Sequence, residues 1–260
     1  MRKQIIAGLI LSAMLAAAEP AWADYRVVSP DEIDLGEMEL ENNSSSTYDH
    51  LPDRSNAQSY TAEFGTGLTP WWHSEIEFGW DRAPGGGQAN VLTQIVTENT
   101  FRLTNPGQYW ADAGLYAEYG QTVARGKYAG ANELTFGPAI AKDIGHTTTT
   151  VNLFLTRQFG PDQTNQGFDF SYAGQTRWNL WTPLSPGIEV YGDTGTLTHG
   201  NNFQNQQLLA GPVLLGRLRL SQIGLGNAGS LTYEAGYLHG LTDASPTNAL
   251  RWRVDVEFPF

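Results

Sequence analysis

Apolar residues fall at every second position in twelve segments of the chain, and this alternation predicts β-strands. In the last ten residues, "RWRVDVEFPF", Trp252, Val254, Val256, Phe258 and Phe260 share one face, and four charged residues share the other. Successive side chains of a strand point to opposite sides of the sheet, so a period of two is typical of a strand with one apolar face. The other segments are "GEMELEN", "SYTAEFGTGL", "WHSEIEFGWD", "IVTENTFRLT", "WADAGLYAEYG", "ELTFGPAIA", "TTVNLFLTRQF", "FDFSYAGQTRWNL", "IEVYGDTG", "LLAGPVLLGRL" and "LTYEAGYLHGL".

The connections between these segments are of two kinds that alternate along the chain. One kind is short and turn-like, as in "LTPWW", "TNPGQ", "KDIGH" and "TPLSPG", with a looser "SQIGLGNAG". The other kind is longer or more polar, as in "SSSTYDHLPDRSNA", "RAPGGGQAN" and "THGNNFQNQ". A soluble β-sandwich would also show alternating strands. Short turns at one end, longer loops at the other and an even strand number are instead typical of bacterial outer-membrane barrels.

Aromatic residues mark both ends of the predicted strands. Trp71, Trp110 and Trp181 stand beside short turns, while Trp80 and Tyr119 stand near longer loops. Amphipathic rings collect at the two membrane interfaces, so this distribution favours the membrane barrel over the sandwich. The sequence therefore predicts an all-β fold: a single transmembrane antiparallel up-and-down β-barrel of about twelve strands.

The N-terminus has the features of a secretory signal peptide. Arg2 and Lys3 precede an apolar run, which ends at the small-residue pattern Ala21-Trp22-Ala23. This pattern predicts a signal peptide over residues 1–23 and a barrel domain over residues 24–260. No run of 18 apolar residues follows, so the sequence predicts no membrane-spanning helix there.

Composition narrows the function classes. Residues 1–23 hold two of the 15 Lys and Arg and one of the 27 Asp and Glu, so residues 24–260 carry a formal charge of −13. An acidic surface of this kind makes binding to nucleic acid through phosphate contacts unfavourable. The chain has no Cys, which excludes a disulfide framework and a lipid-anchored Cys.

The last strand resembles the β-signal of Gram-negative outer-membrane proteins, which the barrel-assembly machinery recognises. The resemblance rests on the terminal aromatic Phe260 and the alternating residues before it, among them Phe258 and Trp252. It implies an outer-membrane location, with outer-membrane lipid as surroundings and the barrel-assembly machinery and periplasmic chaperones as partners. It says little about activity.

If the apolar face meets lipid, the other face lines the lumen, where acidic residues outnumber basic ones. The lumen candidates are Glu63, His73, Glu75, Glu77, Glu98, Arg102, Asp112, Glu118, Arg177, Glu234, Arg251, Arg253 and Asp255. A narrow acidic lumen favours cations over anions, so we expect a passive or gated channel for cationic or polar neutral solutes. One alternative is that these charges form a salt-bridged interior without a conducting path, in a structural or surface-interaction barrel.

Other chemistry has weaker support in the sequence. Outer-membrane phospholipases are similar in size and strand number, but the surroundings of His199 lack the neighbouring Ser of that family's motif. His73, Glu75 and Glu77 share one strand face and could offer three metal ligands, although such spacing arises in any polar lumen. The sequence therefore predicts no catalytic residue, resident metal or cofactor. It also predicts that strand 12 pairs with strand 1, with Arg251 and Arg253 level with Glu39 and Glu41.

Overall fold

The structure is a computed structural model that describes residues 25–31, 35–85, 89–226 and 228–259. The predicted signal peptide and the terminal Phe260 lie outside the described residues, so both remain predictions from sequence. Within the described ranges, no helix combines the length and the apolar character that crossing a membrane would require.

Twelve strands make up most of the part of the chain that the structure describes. Their bounds are β1 Glu37–Tyr48, β2 Gln58–Thr69, β3 Trp72–Arg82, β4 Val91–Arg102, β5 Asp112–Thr122, β6 Asn132–Ile144, β7 Thr147–Phe159, β8 Phe168–Trp178, β9 Ser185–Thr196, β10 Gln207–Arg219, β11 Ser230–Gly240 and β12 Asn248–Pro259. Short 3₁₀ turns occur only in the connections.

The strands form one closed antiparallel barrel in which each strand pairs with its neighbours in sequence. The barrel closes where β1 pairs antiparallel with β12. Closure leaves no unpaired sheet edge, which is the condition for placing strands in lipid. The predicted fold, a twelve-stranded up-and-down β-barrel, is confirmed.

The barrel has two ends that differ in their connections. At one, which we call the turn end, β1 begins, β12 ends and the connections are 70–71, 103–111, 145–146, 179–184 and 220–229. At the other, the loop end, the connections are 49–57, 83–90, 123–131, 160–167, 197–206 and 241–247. The predicted alternation of connections between the two ends of the barrel is confirmed. The predicted difference in length is wrong for 103–111 and 220–229, which are as long as the loops at the other end.

The outside of the barrel is apolar and exposed. Phe64, Ile76 and Ile188 lie on outward positions in the middle part of their strands and are 53%, 50% and 66% exposed. Trp110 and Trp181, at the turn end, are 79% and 64% exposed. Apolar side chains exposed to this extent need an apolar environment such as the hydrocarbon core of a membrane. The aromatic residues near the strand ends fit the two interfaces of that membrane.

Strand β1 is longer than its sequence pattern predicted. The alternation stops near Asn42 and predicts a loop over "SSSTY", whereas β1 continues to Tyr48. Ser44 faces outward yet is only 3% exposed, because it lies opposite Tyr60 on β2 and Trp252 on β12. These two rings have their centroids 6.1 Å apart, so they cover a small polar residue that gives no apolar signal itself.

Candidate functional site

The candidate site is the lumen, where the inward-facing side chains of all twelve strands meet. The thirteen lumen candidates from the sequence lie on inward-facing positions, and most are buried. They are not evenly spread. The structure gathers them into three clusters, each built around a basic side chain, with the remainder near the turn end.

A segment before β1, residues 25–31, lies inside the barrel and is here called the N-terminal segment. Tyr25, Val27 and Val28 are buried, with 6%, 8% and 4% exposure. Asn152 on β7 holds the segment through both polar atoms of its side-chain amide. Its Nδ2 donates to the Val28 carbonyl at 2.8 Å, and its Oδ1 accepts from the Val28 N–H at 2.9 Å. Near the turn end, Arg102 donates to the Asp31 carbonyl at 3.2 Å. The segment therefore runs from the loop-end half of the lumen to the turn end.

The first cluster surrounds Arg26 of this segment. Its guanidinium lies 2.6 Å from Glu98, 3.4 Å from Glu63, 3.6 Å from Glu118 and 3.9 Å from Glu77, and it also contacts the Tyr116 hydroxyl. Four strands, β2 to β5, supply these four carboxylates. Among the residues that the structure describes, one positive charge lies among four potentially negative groups, so the cluster is acidic in character.

The second cluster surrounds Arg251, whose side chain is 1% exposed. Its Nε donates to Glu189 at 2.6 Å, and its terminal nitrogen contacts both Glu189 and Glu234. Gln175 donates a further hydrogen bond to Glu189 at 2.8 Å. Glu189 lies on the polar face of the alternation in β9, which also predicts a lumen position for it.

The third cluster lies at the barrel seam. Arg253 donates from Nε to Glu41 at 2.6 Å, and its terminal nitrogens lie 3.7 Å from Glu39 and 4.0 Å from Glu234. The predicted seam between β1 and β12 is present, but its predicted register is wrong. Arg253 pairs with Asn43, and Arg251 with Ser45, so Arg253 reaches Glu41 diagonally and Arg251 turns to β9 and β11.

His73 lies between two carboxylates near the same seam. Its Nε2 is 3.3 Å from Glu75 and 3.5 Å from Glu39. The sequence had grouped His73 with Glu75 and Glu77 as a weak metal-ligand set, whereas the structure replaces Glu77 by Glu39 and sends Glu77 to the Arg26 cluster. Two sets of three residues each bring potential ligand atoms within 4.8 Å of one another: Glu39, His73 and Glu75 near the seam, and Glu63, Glu77 and Glu98 in the Arg26 cluster. In both, a basic side chain also lies close to the carboxylates.

The remaining candidates lie near the turn end. Arg102 donates to the carbonyls of Pro70 and Asp31, and Asp112 accepts from the Gly107 N–H at 2.7 Å, so both stabilise connections there. Arg177 and Asp255 line the cavity at this end, where Arg177 is exposed to the open space and Asp255 is buried.

Two cavities lie in the lumen on opposite sides of the Arg26 level, and a third of about 280 Å³, lined by Val27, Asp112 and Gln175 among others, lies beside the N-terminal segment towards the turn end. The turn-end cavity has a volume of about 520 Å³ and is lined by Asp31, Glu39, His73 and Glu234 among others. The loop-end cavity has a volume of about 320 Å³ and is lined by Arg26, Glu77, Glu118 and Glu133 among others. In the described part of the chain the two cavities share no lining residue.

Sequence reasoning missed Arg26, because it concentrated on residues within alternating strands. The segment "YRVVSPD" has no period of two that continues into β1. One signal was available: Leu238 and Ala249 are apolar residues on inward faces of β11 and β12 that are otherwise polar or glycine, and such positions call for an apolar partner inside the barrel.

The chain is similar in fold to several known proteins, at low sequence identity. No family model matches the chain, and no curated protein matches it. Among solved structures, a NanC porin is similar with a TM-score of 0.53 and 9% identity, covering 86% of this chain and all of that one. A KdgM porin is similar with a TM-score of 0.51 and 8% identity, covering 85% of this chain and 99% of that one. A KdgM porin in complex with disordered oligogalacturonate gives the same score and identity over 86% of this chain and 99% of that one. The chain thus has the fold of these porins.

Proposed function

We propose that this chain is an outer-membrane channel that passes small cationic or polar neutral solutes. The acidic lumen is the observation that carries the proposal, because carboxylates outnumber arginines in the lining of both large cavities, six against three at the turn end and five against one at the loop end. A field of one sign inside a low-dielectric wall concentrates counter-ions and excludes ions of like charge.

The closed barrel and its apolar outer face support a location in the outer membrane. The apolar outer face meets the hydrocarbon core, and the turn end, where β1 begins and β12 ends, lies in the periplasm. The loop end faces outward. In this proposal the signal peptide directs export, periplasmic chaperones carry the unfolded chain, and the barrel-assembly machinery recognises the final strand.

The proposed solute class follows from charge and not from the structural neighbours. One KdgM structure contains oligogalacturonate, a polymer with a carboxylate on every sugar. In this chain four carboxylates converge in the middle of the lumen, around Arg26, so an anionic polymer would meet repulsion there. A cationic or neutral solute fits the same walls without that repulsion.

Planar-bilayer recording of the refolded barrel tests the proposal. In a gradient of KCl we expect a reversal potential of the sign that indicates preference for K⁺ over Cl⁻. The double variant Glu77→Gln/Glu118→Gln removes two carboxylates at the loop-end cavity and should reduce that preference. Asp53→Asn, which changes an exposed carboxylate in the 49–57 loop, is the matched control and should leave it unchanged. Anion preference, or the same shift in both variants, would contradict the proposal.

The same preparation tests the two alternatives. A barrel that is folded but silent under all conditions, including after removal of the N-terminal segment, would favour a structural or surface-interaction role. Release of fatty acid from phospholipid micelles would favour a membrane-embedded hydrolase. The channel proposal expects conductance and no hydrolysis.

A further inference from the structure

The N-terminal segment crosses the middle of the lumen between opposite walls. Tyr25 and Val27 pack against Ala173, Tyr191, Leu209, Leu238 and Ala249 on β8 to β12. The rings of Tyr25 and Tyr191 have their centroids 5.3 Å apart. The next side chains along the segment point the other way: Arg26 reaches β2 to β5, and Val28 packs against Tyr116 and Ala139 on β5 and β6. An extended chain with alternating contacts on two walls fills the space between them.

The lumen wall is shaped to receive this segment. Leu209, Leu238 and Ala249 are 1%, 0% and 0% exposed, although they sit on inward positions of a lumen that also holds many polar side chains. Without the segment these side chains would face water, which is unfavourable by roughly 25 cal/mol for each Å² of apolar surface. Gly114 on β5 leaves room for Pro30, since a Cβ at position 114 would lie 3.1 Å from the Pro30 Cβ.

The electrostatic contacts of Arg26 set the condition for release. Withdrawing the guanidinium into water would leave Glu63, Glu77, Glu98 and Glu118 close together without their cation. Removing one partner from a buried ion cluster is strongly unfavourable, because the remaining charges stay desolvated and uncompensated. Replacing it by another cation avoids that penalty. Arg26, Glu77 and Glu118 also line the loop-end cavity, so a solute entering there can reach two of these four carboxylates directly.

We propose that residues 25–31 form a plug that closes the lumen, and that a cationic group entering from the loop end opens it by taking the place of Arg26 among the four carboxylates. This inference rests on the proposed channel function and adds its regulation. The plug is part of the chain itself. The opening solute carries a guanidinium or ammonium group, which is the chemistry that Arg26 supplies in the closed state.

The first test compares Arg26→Gln with the wild type in planar bilayers. Loss of the guanidinium should raise the open fraction about tenfold, since it removes the charge that ties the plug to the wall. Arg54→Gln is the matched control, because Arg54 lies in the 49–57 loop and bonds backbone carbonyls of the 241–247 loop. It should behave as the wild type. L-Argininamide added on the loop-end side should open the wild type, whereas sodium glutamate at equal ionic strength should not.

The second test fixes the plug in place with a thiol cross-link. The chain has no Cys, so Val28→Cys with Ala139→Cys introduces the only pair, at two residues that pack in one buried cluster. A short bifunctional methanethiosulfonate should join them and hold conductance at the closed level, even with L-argininamide present. Reductant should restore opening. Ala139→Cys alone, treated in the same way, should remain open to L-argininamide.

The outcomes separate the plug from the channel function. If the wild type conducts as well as a variant lacking residues 24–31, or if the thiols cannot be joined in the folded barrel, the plug is refuted while the channel stands. If the variant lacking residues 24–31 is folded, as judged by heat-modifiable gel mobility, and still does not conduct, the channel function itself fails.

Discussion

Removing Arg251 should destabilise the barrel more than removing any exposed basic residue. Its side chain is 1% exposed and holds Glu189, which is 0% exposed, together with Glu234. Arg251→Gln would leave two carboxylates in the wall without their main cation. Breaking a buried ion pair in this way costs about 3–5 kcal/mol, or roughly two to three and a half powers of ten in the folding equilibrium constant.

The assay is reversible urea unfolding in lipid vesicles, followed by tryptophan fluorescence and by heat-modifiable gel mobility. Adding Glu189→Gln to Arg251→Gln should recover part of the loss, because the double variant removes a buried charge and keeps a polar partner for Gln175. Arg54→Gln, on the partly exposed 49–57 loop, is the control and should change stability by less than about 1 kcal/mol. An Arg251→Gln effect as small as the control, or no recovery in the double variant, would refute the reasoning.

Three further predictions concern the seam and the last strand. A double-mutant cycle on Arg253→Gln and Glu41→Gln should give a coupling of about 1–3 kcal/mol in the same unfolding assay, and Glu39→Gln should couple more weakly because Glu39 lies 3.7 Å from Arg253. Equal couplings would contradict the observed geometry. Val254→Arg should lower the free energy of unfolding by about 2–4 kcal/mol and Val254→Leu should change it little, since Val254 faces outward and is 38% exposed. Equal stability of the two variants would place Val254 in the lumen. Deleting Phe260 should leave the protein in the periplasm or degraded, as fractionation would show, and normal amounts of folded barrel in the outer membrane would exclude a role in assembly.

Strand identity and strand faces were predictable because they depend on a local pattern. Where one face carries large apolar residues, as in Phe64 and Ile76, the period of two is visible in the sequence itself. The second half of β1 shows where this fails. Asn42 and Ser44 have no apolar signal, and their strand is held by ladder bonds to β2 and β12 and by rings from those neighbours. Such support comes from other parts of the chain.

The register at the seam could not be read from charge alone. Charge complementarity favours Arg253 opposite Glu39 and Arg251 opposite Glu41, yet the backbone partners of Arg253 and Arg251 are Asn43 and Ser45. Register at closure is fixed by the stagger accumulated around the whole barrel, because every strand must keep its apolar face outward. The long Arg253 side chain then reaches Glu41 diagonally, so an ion pair forms although the two residues are not direct partners in the ladder.

The N-terminal segment connects these observations to function. The strands of the lumen wall carry many inward carboxylates and few cations, so the wall alone leaves negative charge uncompensated. Its inward Leu209 and Leu238 also need apolar side chains to pack against. Tyr25 and Arg26 supply an apolar ring and a cation at neighbouring positions of one short segment, so the same seven residues meet both needs. A channel selective for cations can be closed by such a segment, because the feature that attracts the solute also retains the plug. In the proposed channel and plug, closure and selectivity share one physical origin, the four carboxylates around Arg26.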